Sequence, residues 1–534
     1  MRSKAVLDGV WDFVFFAEDP GCLPESYSEV MPVPGCFDLM EPYCGQRGFA
    51  FYRREVECGG LVKLFIDGLG ITAEIFWDGK SIGKCPFAYM PEGFVFDSGD
   101  QGKHELVIKI DNRHNEMFQP FFDFYGYGGV YGPVTLENVP ENYIYDVFIS
   151  TEDYKTGKVR VRASVAGNIS ESAALKFDDN EAVECRFENG SLDVTLNVPD
   201  FKLWSTESPA LHNLTITTAA DQVRETFGIR TFETAGRKIL LNGKEIKFRG
   251  YNRHESHPEV GASTSMALMA SDLRLLKEQG GNFFRGSHYP QRRAFLEMCD
   301  RMGVLVWEET LGWGIKAPLL HEPEYLKAQI DQVERMTRVS FNHPCIAFRG
   351  FLNENDCSVP ETRNVIKTLY DAIRAIDEHC LITFASNKYE NDCCTDLVDV
   401  VSMNPYPGWY DATHEETSTI YRVQSRLEKL SDALPADKPF IISEIGSEAL
   451  LGFRDPLKVR WSEEYQAELA AEVCRYIERE DCAGVAFWMF CDTRSYVTGP
   501  AIYYRPRGFN NKGMLDEYRR PKLAWDKIKT FWKK

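Results

Sequence analysis

The sequence predicts a multidomain β plus α/β protein: a jelly-roll-like β-sandwich, an immunoglobulin-like β-sandwich and a C-terminal (β/α)8 TIM barrel. Three observations predict it. Up to about Asn138, short apolar runs are broken by Gly, Asp and Pro turns, with no convincing amphipathic helix. From Val139 to Glu233 the runs alternate strictly between apolar and polar residues. From Thr234 onward, apolar strand-like runs alternate with amphipathic helical stretches. A length of 534 residues suits about three or four domains, at roughly 100–200 residues each, and the three units leave none over for a fourth.

In the first unit (1–138), VKLFIDGL (62–69), AEIFWDGK (73–80) and HELVIKID (104–111) carry the strand signal. In the second (139–233), KVRVRASVAG (158–167) and SLDVTLNV (191–198) read as half-buried strands. In the third (234–534), eight runs read as strands: 245–252, 281–287, 304–309, 347–354, 381–386, 400–406, 440–446 and 484–490. Helical patterns between them include 266–279, 324–339, 361–377 and 461–480. Eight βα units are the arithmetic of a closed barrel. A doubly wound open sheet would want a Gly-rich phosphate turn after its first strand, and none is present.

Composition excludes several classes. With 61 Lys+Arg against 80 Asp+Glu, the net charge of −19 argues against nucleic acid or an anionic membrane as partner. The 15 cysteines are scattered, with no CxxC and no zinc spacing, which predicts free thiols in a reducing compartment. The N-terminal MRSKAVLDGVWDFVFF lacks a leader pattern, and no run approaches a membrane span, so a cytoplasmic protein is expected.

Barrel active sites lie at the C-terminal ends of the strands. The polar residues there are Asn252, Arg253 and His254 (first run); Arg285, His288 and Tyr289 (second); Glu308 and Glu309 (third); Asn353 and Glu354 (fourth). Further on come Asn404, Tyr406, Trp409 and Tyr410 (sixth), Glu444 (seventh), and Trp488, Asp492 and Arg494 (eighth). Glu354 and Glu444 face each other across the mouth. Such a pair suits glycoside hydrolysis, in which one carboxyl donates a proton and the other stays ionised. Rim aromatics suit a sugar ring, and Asn and His suit its hydroxyls. Glu308 and Glu309 read instead as solvated, or paired with a nearby Arg.

Three segments carry a resemblance to glycoside hydrolase family 2. NFFRGSHYPQRRAFLEMCDRMGVLVW (282–307) closely resembles the family signature. SFNHPCIAFRGFLNEN (340–355) resembles its acid/base segment, and FIISEIG (440–446) its nucleophile strand. The resemblance covers nearly the whole chain. Gly286 departs from it, standing where the signature has a small side chain, and local loosening is expected there. The resemblance implies a retaining mechanism: Glu444 attacks the anomeric carbon, Glu354 is the acid/base, and Asn353 binds the sugar 2-hydroxyl. No metal or organic cofactor is implied.

The sugar preference leans toward a uronic acid. NPYPGWY (404–410) resembles the segment that supplies Asn404, Tyr406 and Tyr410 in the family's β-glucuronidase branch, and WSEEYQ (461–466) resembles another segment of that branch. FNNKG (509–513) contains the Asn-x-Lys, Asn510 to Lys512, that binds the substrate carboxylate in that branch. A surface turn would also read NNKG. By the same resemblance Asp123 reaches the pocket from the first domain, His254 binds substrate and Trp488 stacks on the ring. Their plainer alternatives are a loop carboxylate, a satisfied rim histidine and a core tryptophan. Arg494 is expected to pair with Asp492, or else to reach the substrate. The loop after the third strand, LGWGIKAPLLHEP (311–323), is short, which predicts an open site that admits oligosaccharide ends. The function expected is a retaining exo-β-glycosidase acting on terminal β-D-hexuronides, chiefly β-glucuronides. The alternatives are a β-galacturonidase or β-galactosidase, and, in another class, a non-catalytic glycan-binding protein. The expected partner is a β-linked uronic acid glycoside or oligosaccharide end. Family members are often oligomeric, which leaves room for a homo-oligomer.

Overall fold

A computed structural model describes residues 2–114, 124–410, 420–479, 482–496 and 504–533. The first unit pairs a four-stranded with a six-stranded antiparallel sheet. Inward positions alternate along its strands, as in Thr72–Trp77, where Ala73, Ile75 and Trp77 are buried and their neighbours are not. The core between the sheets is built on Trp11, Phe13, Phe37, Tyr52 and Ile108. The second unit pairs sheets of three and four strands, the strand number of a constant-type immunoglobulin sandwich. Lys158–Val165 turns Val159, Val161, Ala163 and Val165 inward. Burying each larger aliphatic side chain there stabilises the fold by about 1.5–3 kcal/mol.

The third unit is a closed barrel of eight parallel strands: β1 (Phe248–Arg253), β2 (Phe283–Gly286), β3 (Leu305–Glu309), β4 (Ile346–Asn353), β5 (Leu381–Ser386), β6 (Val401–Met403), β7 (Phe440–Ile442) and β8 (Gly484–Phe487). All eight predicted runs contain a strand. Helices α1 (Met266–Gln279), α2 (Arg293–Met302), α3 (Pro323–Val339), α4 (Thr362–Ile376), α5 (Val423–Ala433), α6 (Glu463–Ile477) and α7 (Leu523–Trp532) surround it. After β5 the described chain makes only two 3-10 turns, Tyr389–Asn391 and Thr395–Leu397. Helix α1 shows why these segments are helical. Ser265 caps its start by accepting from Leu268 N–H, and Gly280 ends it at φ 99°, a left-handed conformation that suits glycine.

Two predicted boundaries move. The run 245–252 is split, because Lys244–Ile246 closes a separate three-stranded antiparallel sheet before β1 begins. The Lys247 ammonium between them is taken up by the carbonyls of Ile477, Arg479 and Cys482. In the seventh run, ladder pairing stops at Ile442, so Ser443 and Glu444 lie beyond the sheet at the barrel mouth.

The first sandwich seats directly on that mouth. Tyr89 stacks on Tyr289 at 3.7 Å between ring centres. Tyr127 hydrogen-bonds to Ser256, and Arg335 of α3 donates twice to Glu92. The second sandwich is clasped by Asn342, which exchanges hydrogen bonds with the backbone of Val147 and Ile149. All 15 cysteines are free thiols.

Candidate active site

Strand β4 reaches the site through an irregularity. Its pairing with β5 shifts register between Gly350 and Asn353, and Leu352 and Glu354 both adopt positive φ, 59° and 56°. Non-glycine residues held there cost about 1–3 kcal/mol each and cluster where function needs them. The bulge turns Asn353 and Glu354 into the mouth. The loop after β3 stabilises it: Asn353 N–H donates to Gly312 O, and Gly314 N–H to Asn353 O. Asn355 adds bonds to Gly312 O and Ile315 N–H. That short loop is therefore stitched to β4, and it carries one helical turn, Ala317–Leu320.

Glu444 and Glu354 are joined by one hydrogen-bond chain. Arg285 Nη1 donates to Glu444 Oε1 (2.8 Å), and Tyr406 donates its hydroxyl to Oε2 (2.8 Å). Arg285 Nη2 donates to Asn353 Oδ1 (2.9 Å). Asn404 Nδ2 donates to that same oxygen (3.1 Å) and to Glu354 Oε1 (2.8 Å). Ser443 holds Asn404 in this orientation by donating to its Oδ1 (2.7 Å). The Nδ2 of Asn353 is buried and has no hydrogen-bond partner among the described residues. It is a directed donor with nothing yet to receive it.

Arg285 is fully buried and lies between two carboxylates, Glu444 and Glu309. Burial pushes both up to about 7, while the guanidinium pulls each back down. The negative field of Glu354 adds to the rise at Glu444. Glu309 also holds His288 Nδ1 at 2.7 Å, and His288 lies parallel to the Trp488 ring at 5.1 Å. Glu308 and Glu309 are thus paired, as one alternative had it, but not solvated. Glu308 accepts from Gln291 N–H and Ser340 Oγ, which makes it structural.

The remaining predicted residues fall as follows. His254 is buried, bonds to the Tyr289 hydroxyl, stacks on Phe124 at 4.9 Å and meets Trp488 edge-on. Trp488 is buried at the rim between the two histidines. Asp123 lies outside the described residues. Tyr410 is 65% exposed, with its ring 5.0 Å from that of Tyr406. Asn510 and Lys512 are both buried, so NNKG is no surface turn. Asn510 Oδ1 accepts from Lys512 N–H. Lys512 Nζ lies 5.2 Å from the Tyr410 ring centre and 5.6 Å from that of Trp409. It also pairs at 3.0 Å with Glu448, which Arg505 shares at 2.8 Å. Sequence reasoning missed Glu448 and Arg505, because an acid four positions after Glu444 has no pattern that marks it.

Two expectations are corrected. Arg494 does not pair with Asp492. Its guanidinium lies over Tyr125 at 4.5 Å, while Asp492 is taken by Lys522 (2.7 Å). Gly286 is not loose either. A Cβ there would come within 2.2 Å of the Gln291 side chain, so glycine is the residue that fits.

Known proteins place this architecture. The family model "Glycosyl hydrolases family 2, TIM barrel domain" matches residues 232–534, and the model "Glycosyl hydrolases family 2" matches residues 142–230. A GH2 β-galacturonidase from Eisenbergiella tayi bound to galacturonate superposes with a TM-score of 0.92 at 32% identity, over 100% of this chain and 97% of that one. A β-glucuronidase from Ruminococcus gnavus in complex with D-glucuronic acid gives 0.88 at 25%, over 99% and 98%. The β-glucuronidase of Sus scrofa is 30% identical over 83% of this chain and 69% of its own. The barrel, the preceding sandwich and the paired glutamates have one common explanation: the chain is a glycoside hydrolase and belongs to glycosyl hydrolases family 2.

Proposed function

We propose that the chain is a retaining exo-β-hexuronidase that acts chiefly on β-glucuronides. The observation that carries this reading is Lys512: a cation buried beside Tyr410 and Trp409, in a protein of net charge −19. Lys512 receives the sugar carboxylate as a compact point charge, and Asn510 braces its backbone. Glu444, freed of its proton, attacks the anomeric carbon. Glu354, aligned by Asn404, protonates the departing oxygen and then takes a proton from water. Asn353 Nδ2 meets the sugar 2-hydroxyl. Arg285 and Tyr406 hold Glu444 in line for attack. His254 and Trp488 complete the wall around the ring. The retaining path requires the carboxyls to be about 5–5.5 Å apart. The first-formed product should keep the β configuration when followed by NMR; inversion would remove Glu444 from its nucleophile role.

A second reading has its own support: the Eisenbergiella tayi galacturonidase shares 32% identity over the full chain. The two readings differ only at the sugar C4. A panel of nitrophenyl β-glucuronide, galacturonide, glucoside and galactoside separates them. Lys512→Ala should lower kcat/KM on the preferred uronide by about 10²-fold or more and leave the trace activity on neutral sugars unchanged. Equal loss on all four would mean that Lys512 is no carboxylate clamp.

We further place the unit boundaries at 138/139 and 233/234 and the protein in the cytoplasm. The 15 free thiols suit a reducing compartment. No helix among the described residues is long and apolar enough to cross a membrane.

A further inference from the structure

A cavity of about 350 Å³ lies where the three units meet. Lys63 and Phe65 reach it from the first sandwich, on the strand Leu61–Ile66. Arg224 and Glu225 reach it from the second, on the strand Gln222–Phe227. The barrel supplies Arg293 and Arg301, from the first and last turns of α2, and the segment just before β4. Glu354 follows the other end of β4, so this cavity and the paired glutamates lie at opposite ends of that strand.

The charges in the lining do not cancel. Arg338 is answered by Asp146 at 2.9 Å, and His343 by Asp300 at 2.6 Å. That leaves four cations, Lys63, Arg224, Arg293 and Arg301, against two carboxylates, Glu225 and Glu297. Among the described residues, none of these six closes an ion pair. Arg224 donates to the Asn213 amide oxygen, and Glu225 accepts from the Asn342 amide. Arg293 lays its guanidinium over the Phe65 ring at 5.4 Å, and its buried Nε has no hydrogen-bond partner among the described residues. Burial pushes the Lys63 ammonium below its ordinary value, and the positive fields of Arg2 and Arg293 act in the same direction, against that of Glu137. Half-buried cations that repel one another are costly unless something neutralises them. This chain has 80 acidic residues against 61 basic ones, yet no carboxylate among the described residues closes on these four.

The excess of four cations over two carboxylates is two positive charges, which matches a dianion. Guanidinium forks hold an oxyanion through paired N–H bonds, and a lysine adds a compact point charge. A tricarboxylate would bring one charge too many. The volume stands at the small end of ligand sites, enough for a phosphate with a short organic group. We propose that this cavity binds phosphate or a small phosphate monoester, which ties the three units together through Lys63, Arg224, Arg293 and Arg301. The assignment is independent of the sugar that the enzyme cleaves.

The test uses the full chain, with calorimetry and thermal melting in inorganic phosphate, glycerol phosphate, citrate and sodium chloride at one ionic strength. Phosphate should bind at this one site and raise Tm by about 2 °C at a hundredfold excess over Kd, with little effect from chloride or citrate. Lys63→Met and Arg301→Gln should each weaken phosphate binding about tenfold. Arg301 is exposed at the end of α2, so Arg301→Gln keeps the fold whatever Lys63→Met does. Arg186→Gln, at an exposed position of the second sandwich outside the cavity, should bind as wild type does. Lys512→Ala should also bind as wild type does, which separates this cavity from the sugar pocket. Tighter binding of glycerol phosphate than of phosphate assigns a monoester, and the reverse assigns the free ion; both support the site. No binding at millimolar phosphate, equal Tm shifts in all four salts, or tighter binding of citrate would each overturn the proposal. So would binding that survives Lys63→Met and Arg301→Gln unchanged, or that is lost in Lys512→Ala.

Discussion

Arg285 shows how one side chain sets the chemistry of its neighbours. It is buried between Glu309 and Glu444 and is the shared counter-charge of both. Burial lifts Glu444 to about 7, so on the proposed mechanism the nucleophile of the free enzyme is partly protonated near neutrality. The attacking form is the carboxylate, so activity must fall as pH drops. We expect kcat/KM to lose about tenfold per unit below an apparent pKa near 7. A profile flat down to pH 5 would show that Glu444 is ionised well below that value in solution. Glu354→Gln should lower kcat by about 10²–10⁴-fold on substrates with poor leaving groups and much less on a nitrophenyl uronide, whose leaving group needs little protonation. Equal losses would count against Glu354 as the acid. The two glutamates, Asn353 and Asn404 could be placed at the barrel mouth from the sequence because each ends an apolar run, whereas the roles proposed for them rested on the family resemblance. Arg285 and His288 were visible at a strand end but unassigned, since nothing local tells a buried cation from a solvated one. Glu309 was set aside for the same reason. Only the folded arrangement reveals that two carboxylates converge on one guanidinium.

At the level of elements, the position of every barrel strand was readable, because buried parallel strands are short apolar runs of distinctive composition. Their ends were less readable, because burial outlasts the hydrogen-bond ladder, as it does from Ser443 to Ile445. The bulge in β4 was invisible, since Leu352 is not a residue that announces positive φ. The tightness around Gly286 was misjudged for a related reason: a glycine in sequence looks permissive, whereas here the Gln291 side chain occupies the space. Gly286→Ala should therefore destabilise the protein by about 1–3 kcal/mol, seen as a lower Tm, through overpacking at the end of β2. A Tm equal to or above wild type would mean that Gln291 swings away freely.

Across the whole molecule, several buried carboxylates have a raised pKa. Burial lifts Asp38 and Asp67 to about 6, and Glu92, Glu309, Glu444 and Asp492 to about 7. A carboxyl raised in the folded state binds its proton more tightly there than when unfolded. Its contribution to stability is full below the unfolded pKa near 4 and is lost as pH rises through 6–7. The repulsion of a −19 chain acts with the same sign. Tm should accordingly be higher at pH 5.5 than at pH 8, by a few degrees on the order expected for 1–2 kcal/mol in a chain of this size. A higher Tm at pH 8 would contradict this balance. Phe124, contributed by the first sandwich, packs on His254, while the proposed carboxylate clamp, Lys512, comes from a segment after β8. The proposed site thus draws on segments that lie far apart in the chain. A chain cut before Asn510 should lose its uronide turnover even where the earlier units fold, and adding back the missing segment in trans should restore part of it, since no single unit holds the site.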